Sequence, residues 1–544
     1  MGLANEYVFR PEERPTFPGS PFVPAHTLKQ RLGYGAVGLL VGTTATFGNG
    51  LVNVNVTNLS GALGTYAVQA SLLPAIYVAA NASANLMLIK ARTQFGIPTI
   101  THGLLILYIC VGLLQFAFPG FAAAALIRFV SGLTAAGLTT LTIYYFMQAF
   151  PLKLRPLALV VGIGTTQLGI PLARLAPVEM LALDHLRGLH LIEIGLALSV
   201  LAAITSHPLP PSECSRAFEP LDFLTYALFL PAMLLLCSVL GLGRLLWWTD
   251  APWLGAALAV SVVLFASVIL IEHYRSRPLL QLRWIGSRDI VRFASVALVL
   301  RLSLAEQTYG AVGLLTAGGL TNDQLHILFA IVIVAMALGI ATAALTLAES
   351  RIRYQVMIAA LIIALGAWLD TDATNVTRPP QLYLSQALIG YGTTLFIGPA
   401  LVFGFLRMMR QGPNHLISFI MLFNVSQNVG GLAGSALLGS YQVMATRAHA
   451  GALSEHLIAA DPQVAARIQA GATTLSSALT DPAQQASQGA GLLVQAVTRE
   501  ATILAFGDVF RLVTAIALLA ALYLAGREIA EVIRKRRQTQ EARA

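Results

Sequence analysis

Charge is what this sequence has least of. Only 11% of its 544 residues are Asp, Glu, Lys or Arg, against about 25% in a soluble globular domain. That shortfall excludes an ordinary soluble enzyme. It excludes disorder too, because disordered chains are rich in charge and poor in apolar side chains. Cysteine is nearly absent: Cys110, Cys214 and Cys237 are odd in number and far apart, with no CxxC spacing. Neither a disulfide framework nor a thiolate metal site fits that pattern. The ten histidines are scattered, and no HExxH, nucleophile elbow or P-loop occurs. No metal, cofactor or catalytic constellation is expected, and the chain does not read as an enzyme.

What fills the chain is hydrocarbon: 56% of residues are hydrophobic and the mean hydropathy is +0.72. The apolar residues form blocks of about twenty, the length that crosses ~30 Å of lipid. Fourteen can be drawn, at 34–57, 66–88, 102–118, 121–146, 157–181, 188–207, 221–242, 252–272, 289–315, 325–347, 355–370, 381–406, 415–439 and 506–526. They are continuous rather than alternating, so they predict helices and not barrel strands. An all-α polytopic protein with membrane lipid as its solvent follows. The polar stretch before the first block carries Pro11, Pro15, Pro18, Pro21 and Pro24, and reads as an extended tail, not a signal peptide.

The net charge of +9 suggests nucleic acid only until the basic residues are placed. With the N-terminus in the cytoplasm, Lys90, Arg92, Lys153, Arg155 and Arg216 fall on the inner side. So do Arg275 through Arg292, Arg351, Arg353, Arg407 and Arg410. The short outer loops hold Arg187, Arg244 and Arg378. This is the positive-inside pattern; it places both termini in the cytoplasm and leaves no nucleic-acid partner to explain. Trp247, Trp248 and Trp253 flank an outer turn as interfacial anchors. The one long outer connection, 440–505, reads as helical, with Pro462 and Pro482 opening two segments. It is either a solvated cap or a docking surface for a periplasmic partner.

Two stretches echo each other: Pro151-Leu-Lys-Leu-Arg155 leads to Gln167-Leu-Gly169, and Pro413-Asn-His-Leu leads to Gln427-Asn-Val-Gly430-Gly431. Parallel repeats of six-span halves build many secondary transporters. Over roughly 34–526 the sequence resembles the major facilitator superfamily, specifically its fourteen-span drug:proton antiporter branch of EmrB/QacA type. Arg128-Phe-Val-Ser-Gly132, Pro151-x-x-x-Arg155, Asp222, Glu272, Pro278, Leu279 to Trp284, and Ala505-Phe-Gly-Asp508-Val-Phe510 carry the likeness in order. The resemblance implies two six-helix bundles plus two extra central helices, 14 transmembrane helices in all. The implied divisions are a cytoplasmic tail at 1–30, a first bundle at 31–207, two linker helices and a cytoplasmic link at 208–288, a second bundle at 289–526 including the 440–505 periplasmic loop, and a basic tail at 527–544. The chain also departs from the branch. Gly48 stands where the first-span Asp is usual, and Arg174 where the fifth-span motif has Gly.

Ionisable groups at membrane depth are costly and default to functional candidates. Glu193 is the nearest acid in depth to Arg128. Arg174 either faces the bundle or snorkels outward. Arg301 and Glu306 are five residues apart, rotated ~140° on a helix, so each faces a different neighbour. Glu306 and Glu193 are the candidate proton carriers, with a static salt bridge as the competing role for Glu306. Arg128, Arg174 and Arg301 are the candidate intramembrane charge partners. Asn49, Asn53, Asn81, Gln167, Gln307, Gln386, Asn424 and Gln427 are candidate handles in a cavity for amphiphilic substrates.

The expected function is a secondary active exporter of small amphiphilic or toxic compounds by proton antiport, in a bacterial inner membrane. The resemblance implies a periplasmic adaptor and an outer-membrane channel as partners. The alternatives are an uncoupled facilitator or importer, which Gly48 favours, and a non-transporting receptor or scaffold.

Overall fold

Caps and prolines punctuate a chain that is otherwise helical almost throughout. The computed structural model describes residues 13–15, 19–177, 187–458, 461–475 and 480–541. Helix α1 (Leu28–Val54) opens on Thr27, whose hydroxyl accepts from the Gln30 amide in a capping box. Helix α2 (Leu72–Phe95) turns at Gly96, φ +82°, into α3 (Ile97–Ala117), and α4 is Phe121–Ala149. Helix α5 (Arg155–Gln167) resumes as the short turn Gly169–Ala173, and α6 is Arg187–Ser206. Helices α7 (Pro220–Leu246) and α8 (Pro252–Tyr274) each place proline in the first turn, where its lost N–H costs nothing. Helix α9 is Arg288–Ser303, α10 His326–Leu345, α11 Ile352–Leu369, α12 Tyr383–Gln411, α13 Leu416–Glu455 and α14 Pro482–Glu541.

Among the described residues thirteen helices are long and apolar enough to cross a membrane. The expected ninth block, 289–315, is the one not among those thirteen. Helix α9 ends at Ser303, a π-helical turn runs Glu306–Ala311, and Val312–Ala317 completes the segment. Hydropathy sees an unbroken apolar run; it cannot see the extra residue that a π-bulge inserts, and such bulges cluster at functional positions.

Helices α1 to α6 pack on one another, as do α9 to α14. The groups meet along two seams: α2 against α13, and α5 against α10 and α12. The α7–α8 pair lies against the first seam, with α7 touching both α2 and α13. Close crossings rest on glycine. A Cβ at Gly132 of α4 would fall 2.5 Å from the Tyr77 carbonyl of α2, and one at Gly339 of α10 would fall 2.5 Å from the Tyr391 carbonyl of α12. Small residues let backbones approach in lipid, where no hydrophobic effect drives helices together. Leu107, Val263, Leu338 and Leu519 are exposed on the outer surface, as lipid-facing side chains must be.

The N-terminal stretch, expected as an extended tail, and the outer connection, expected as helical, are both ordered against the helices in their described parts. The described part of the N-terminal stretch is docked: Phe22 N–H donates to the Pro211 carbonyl (2.9 Å), and Gln148 Nε2 donates to the Phe22 carbonyl (2.9 Å). Pro11 and Pro18 lie outside the described residues. At the opposite face, α13 and α14 run past the membrane blocks. The helix Pro462–Thr474 packs on α14, where a Cβ at Gly489 would collide with the Ile468 carbonyl.

Candidate functional site

A cavity of about 700 Å³ lies between the two helix groups, within the range of small-molecule sites. Asn49 and Asn53 of α1, Tyr77, Asn81 and Asn85 of α2, and Gln167 of α5 line one wall. Asn424, Gln427 and Asn428 of α13 line the other. Across the seam Asn424 Nδ2 donates to the Asn81 carbonyl (2.9 Å), and Asn428 Nδ2 to Asn81 Oδ1 (3.1 Å). Asn49 Oδ1, Asn85 Oδ1 and both side-chain polar atoms of Gln427 are buried without a hydrogen-bond partner among the described residues.

Gln307 and Gln386, expected in the cavity, do not line it. Gln307 Nε2 donates to the Gln386 carbonyl (3.1 Å) inside the second group, because the π turn points this part of the segment at α12. There Gln386 Nε2 donates to both Glu306 Oε1 (3.0 Å) and Asp370 Oδ2 (2.9 Å). Two carboxylates therefore meet one amide, Glu306 wholly buried and Asp370 2% exposed. Glu306 Oε2 has no partner among the described residues. Asp370 escaped the sequence reading because it ends α11, where an acid next to Thr371 and Asp372 looks like loop.

The buried acid of the first group, Glu193, is paired. Arg128 Nη2 donates to both oxygens of Glu193, at 2.7 and 2.6 Å, and both residues are at most 4% exposed. His190 Nδ1 stands 3.6 Å from Glu193 Oε2. A Cβ at Gly48 would sit 2.7 Å from Glu193 Oε1. The bare glycine is thus the space that the Glu193 carboxylate occupies.

Arg174 and Arg301, expected as charge partners, meet no carboxylate among the described residues. Arg174 Nη1 donates to Asn322 Oδ1 (3.3 Å), and its guanidinium lies 5.2 Å from the Phe329 ring. Arg301 Nε donates to the Gln427 carbonyl (2.9 Å). Both face the cavity. Arg301 and Glu306 do point to different neighbours, as their spacing requires.

At the basic face a charge cluster ties α2, α7 and α8 together. Lys90 Nζ meets Asp222 Oδ2 at 2.6 Å, and Arg275 Nη2 meets Asp222 Oδ1 and Glu219 Oε2, each at 2.7 Å. Burial pushes the Arg275 guanidinium down, but its bonds to Glu219 and Asp222 more than offset that and hold it charged. The Arg275 hydrogen bond in turn holds Glu219 below the usual carboxylate range. Glu272, a residue of the sequence motif, accepts from Thr225 Oγ1 (2.6 Å) and the Leu280 amide (3.0 Å). It caps the turn after α8.

No protein-family model matches the chain, and no curated protein matches it by sequence. Solved structures do. The human organic anion transporter MFSD10 (TETRAN) superposes with a TM-score of 0.52 at 13% identity, covering 91% of this chain and 100% of that one. A bacterial homologue of the human drug peptide transporters PepT1 and PepT2 gives 0.54 at 11%, covering 93% and 99%. The POT family transporter PepTSo gives 0.53 at 14%, covering 92% and 99%. All three are major facilitator transporters. This chain has the major facilitator fold. At such identities the likeness speaks for the fold alone. Within the major facilitator fold as this chain builds it, the cavity occupies the seam, while Glu193, Glu306 and Asp370 lie within the helix groups on either side.

Proposed function

We propose that this protein is a secondary active exporter of small amphiphilic compounds, exchanging them for protons by alternating access. The cavity carries the reading: it lies between two helix groups, polar handles come from both, and its lining runs from Arg92 and Leu416 near the basic face to Val56 and Ala67 near the other. A site reachable from either face by rocking two groups is what alternating access requires. The basic face is taken as cytoplasmic under the positive-inside rule. The broken α9 segment is counted as the fourteenth crossing, giving bundles at 31–207 and 289–526. The chain is read as a divergent member of the fourteen-span EmrB/QacA branch in a bacterial inner membrane. The helical 440–505 connection is offered to a periplasmic adaptor and outer-membrane channel.

Glu306 is assigned the proton. It is wholly buried, shares the Gln386 amide with Asp370, and keeps one oxygen without a partner among the described residues. Two carboxylates facing one donor offer a place for a single shared proton. Glu193, held by both oxygens to Arg128, is assigned as an anchor within the first bundle. An uncoupled facilitator or importer is the second reading, favoured by Gly48 in the acid position.

The test uses the full chain in proteoliposomes with labelled estrone sulfate, taurocholate, benzylpenicillin and tetraphenylphosphonium. Antiport requires that at least one accumulates while a proton gradient stands and that a protonophore abolishes accumulation. Glu306→Gln should lose that accumulation yet keep exchange of labelled for unlabelled substrate. Flux indifferent to both the protonophore and Glu306→Gln would install the facilitator reading instead.

A further inference from the structure

The arginines of the cavity have no acidic counterpart. Arg92, Arg174, Arg244 and Arg301 all line it, and no Asp or Glu does so among the described residues. None of the four has a carboxylate within ion-pair distance there, whereas Arg128, which lies outside the cavity, is fully matched by Glu193. What the four do contact is uncharged. Arg92 Nε donates to the Leu88 carbonyl (3.2 Å), and Arg174 uses Asn322 and Phe329. Arg244 lies 5.0 Å from the Tyr309 ring, and Arg301 uses the Gln427 carbonyl through Nε alone.

Uncompensated guanidinium groups at membrane depth are unfavourable, and their persistence marks a ligand or ion path. An anion relieves that cost and a cation deepens it. Beside Arg301 the side-chain amide of Gln427, a residue 8% exposed, has neither its oxygen nor its nitrogen bonded within the described residues. A planar guanidinium with free Nη donors beside an amide N–H donor matches the oxygens of a carboxylate, sulfonate or sulfate. Toward the basic face the wall turns apolar, with Leu401, Phe405, Phe419, Ile420 and Phe423. Head and tail are therefore specified separately.

We infer that the cavity selects amphiphilic organic anions, with Arg301 and Gln427 binding the anionic head, Arg174 and Arg244 extending the positive path toward the far face, and the phenylalanine wall receiving the tail. This rests on the transport reading above and adds the substrate's charge to it. The same chemistry describes a soluble amphiphile and an anionic phospholipid of the bilayer.

The four labelled probes separate the possibilities. The expected result is transport of one or more of estrone sulfate, taurocholate and benzylpenicillin, with tetraphenylphosphonium refused. Arg301→Gln should weaken the transported anion by about 30-fold or more in KM, the usual scale for removing one partner of a buried charge contact. Arg301→Lys should recover part of that loss, because it keeps the charge and loses the fork. Equal thermal unfolding of the variants keeps a folding defect from mimicking the effect. A parallel arm follows fluorescent phosphatidylglycerol across the bilayer by dithionite quenching. Movement of that lipid alone still supports an anionic head in this site and identifies its source as the membrane. Transport of tetraphenylphosphonium with all anions refused overturns the inference while leaving a transporter standing, as does anion transport indifferent to Arg301→Gln. Transport of none of the probes, lipid included, removes the transport reading itself and this inference with it.

Discussion

At the scale of single residues, the exchange between Gly48 and Glu193 explains how this chain neutralises Arg128. The bilayer interior demands a counter-ion for a guanidinium that is 2% exposed, and α6 supplies it through Glu193. Both oxygens of Glu193 contact Arg128 Nη2, so removing the acid leaves a buried charge alone. Glu193→Ala should destabilise the protein by about 3–5 kcal/mol. Adding Gly48→Asp in that background should recover a substantial part of the loss, since the vacated carboxylate space is where a side chain at 48 would point. With the exposed Cys110 and Cys214 replaced by Ser, the buried thiol of Cys237 gives the assay: a thiol-reactive dye reports its exposure on heating. No recovery in the double variant would mean that Arg128 reads helix α6 specifically. The sequence indicated this pairing through depth alone. That Arg174 and Arg301 meet no carboxylate among the described residues could not be read that way, because pairing depends on rotation about the helix and, for Arg301, on the π turn after it.

Among elements, the ends of α2, α7 and α8 are joined by charges that titrate. Glu219 sits below the usual carboxylate range because Arg275 bonds its ionised form. A group whose folded value is depressed contributes stability above its unfolded value, about 4.3 for Glu. That contribution disappears as pH falls through the lower folded value. Acidification below about pH 4 should therefore loosen this corner, visible as faster amide exchange in 216–222 and 272–280, while neutral and alkaline pH leave it intact. In Glu219→Gln the acid-dependent increase should be smaller. An identical pH profile in variant and parent would assign the transition to other carboxylates. Helix positions were legible here from hydropathy, as the blocks 221–242 and 252–272. The docking of the N-terminal stretch was not, because a proline-rich polar segment has the composition of a linker whether or not Gln148 and Pro211 receive it.

For the molecule as a whole, apolar block length made the many-span helical architecture readable, since it follows from solvation and not from packing detail. The π break at Glu306–Ala311 and the acid at Asp370 needed the structure, because the α9 and α11 blocks look uninterrupted to any measure that averages over a window. The cap was legible as helices opening at Pro462 and Pro482. Replacing 456–481 by a Gly-Ser linker of equal length should leave proteoliposome flux within about twofold, because the cavity lining lies elsewhere. The same replacement should lower resistance in cells if an adaptor docks there. Equal loss in both settings would place the cap within the moving core.

Helix α13 has 40 residues, so it is about 60 Å long against ~30 Å of hydrocarbon. Its wall residues Asn424 and Gln427 and its far tip at Glu455 belong to one continuous rod. Pivoting such a rod by ~10° near the membrane surface would swing a ~25 Å arm through about 4 Å at its end. Each turnover inside the bilayer would then be written large outside it, as the sweep of a needle that a spin label or a neighbouring protein could follow.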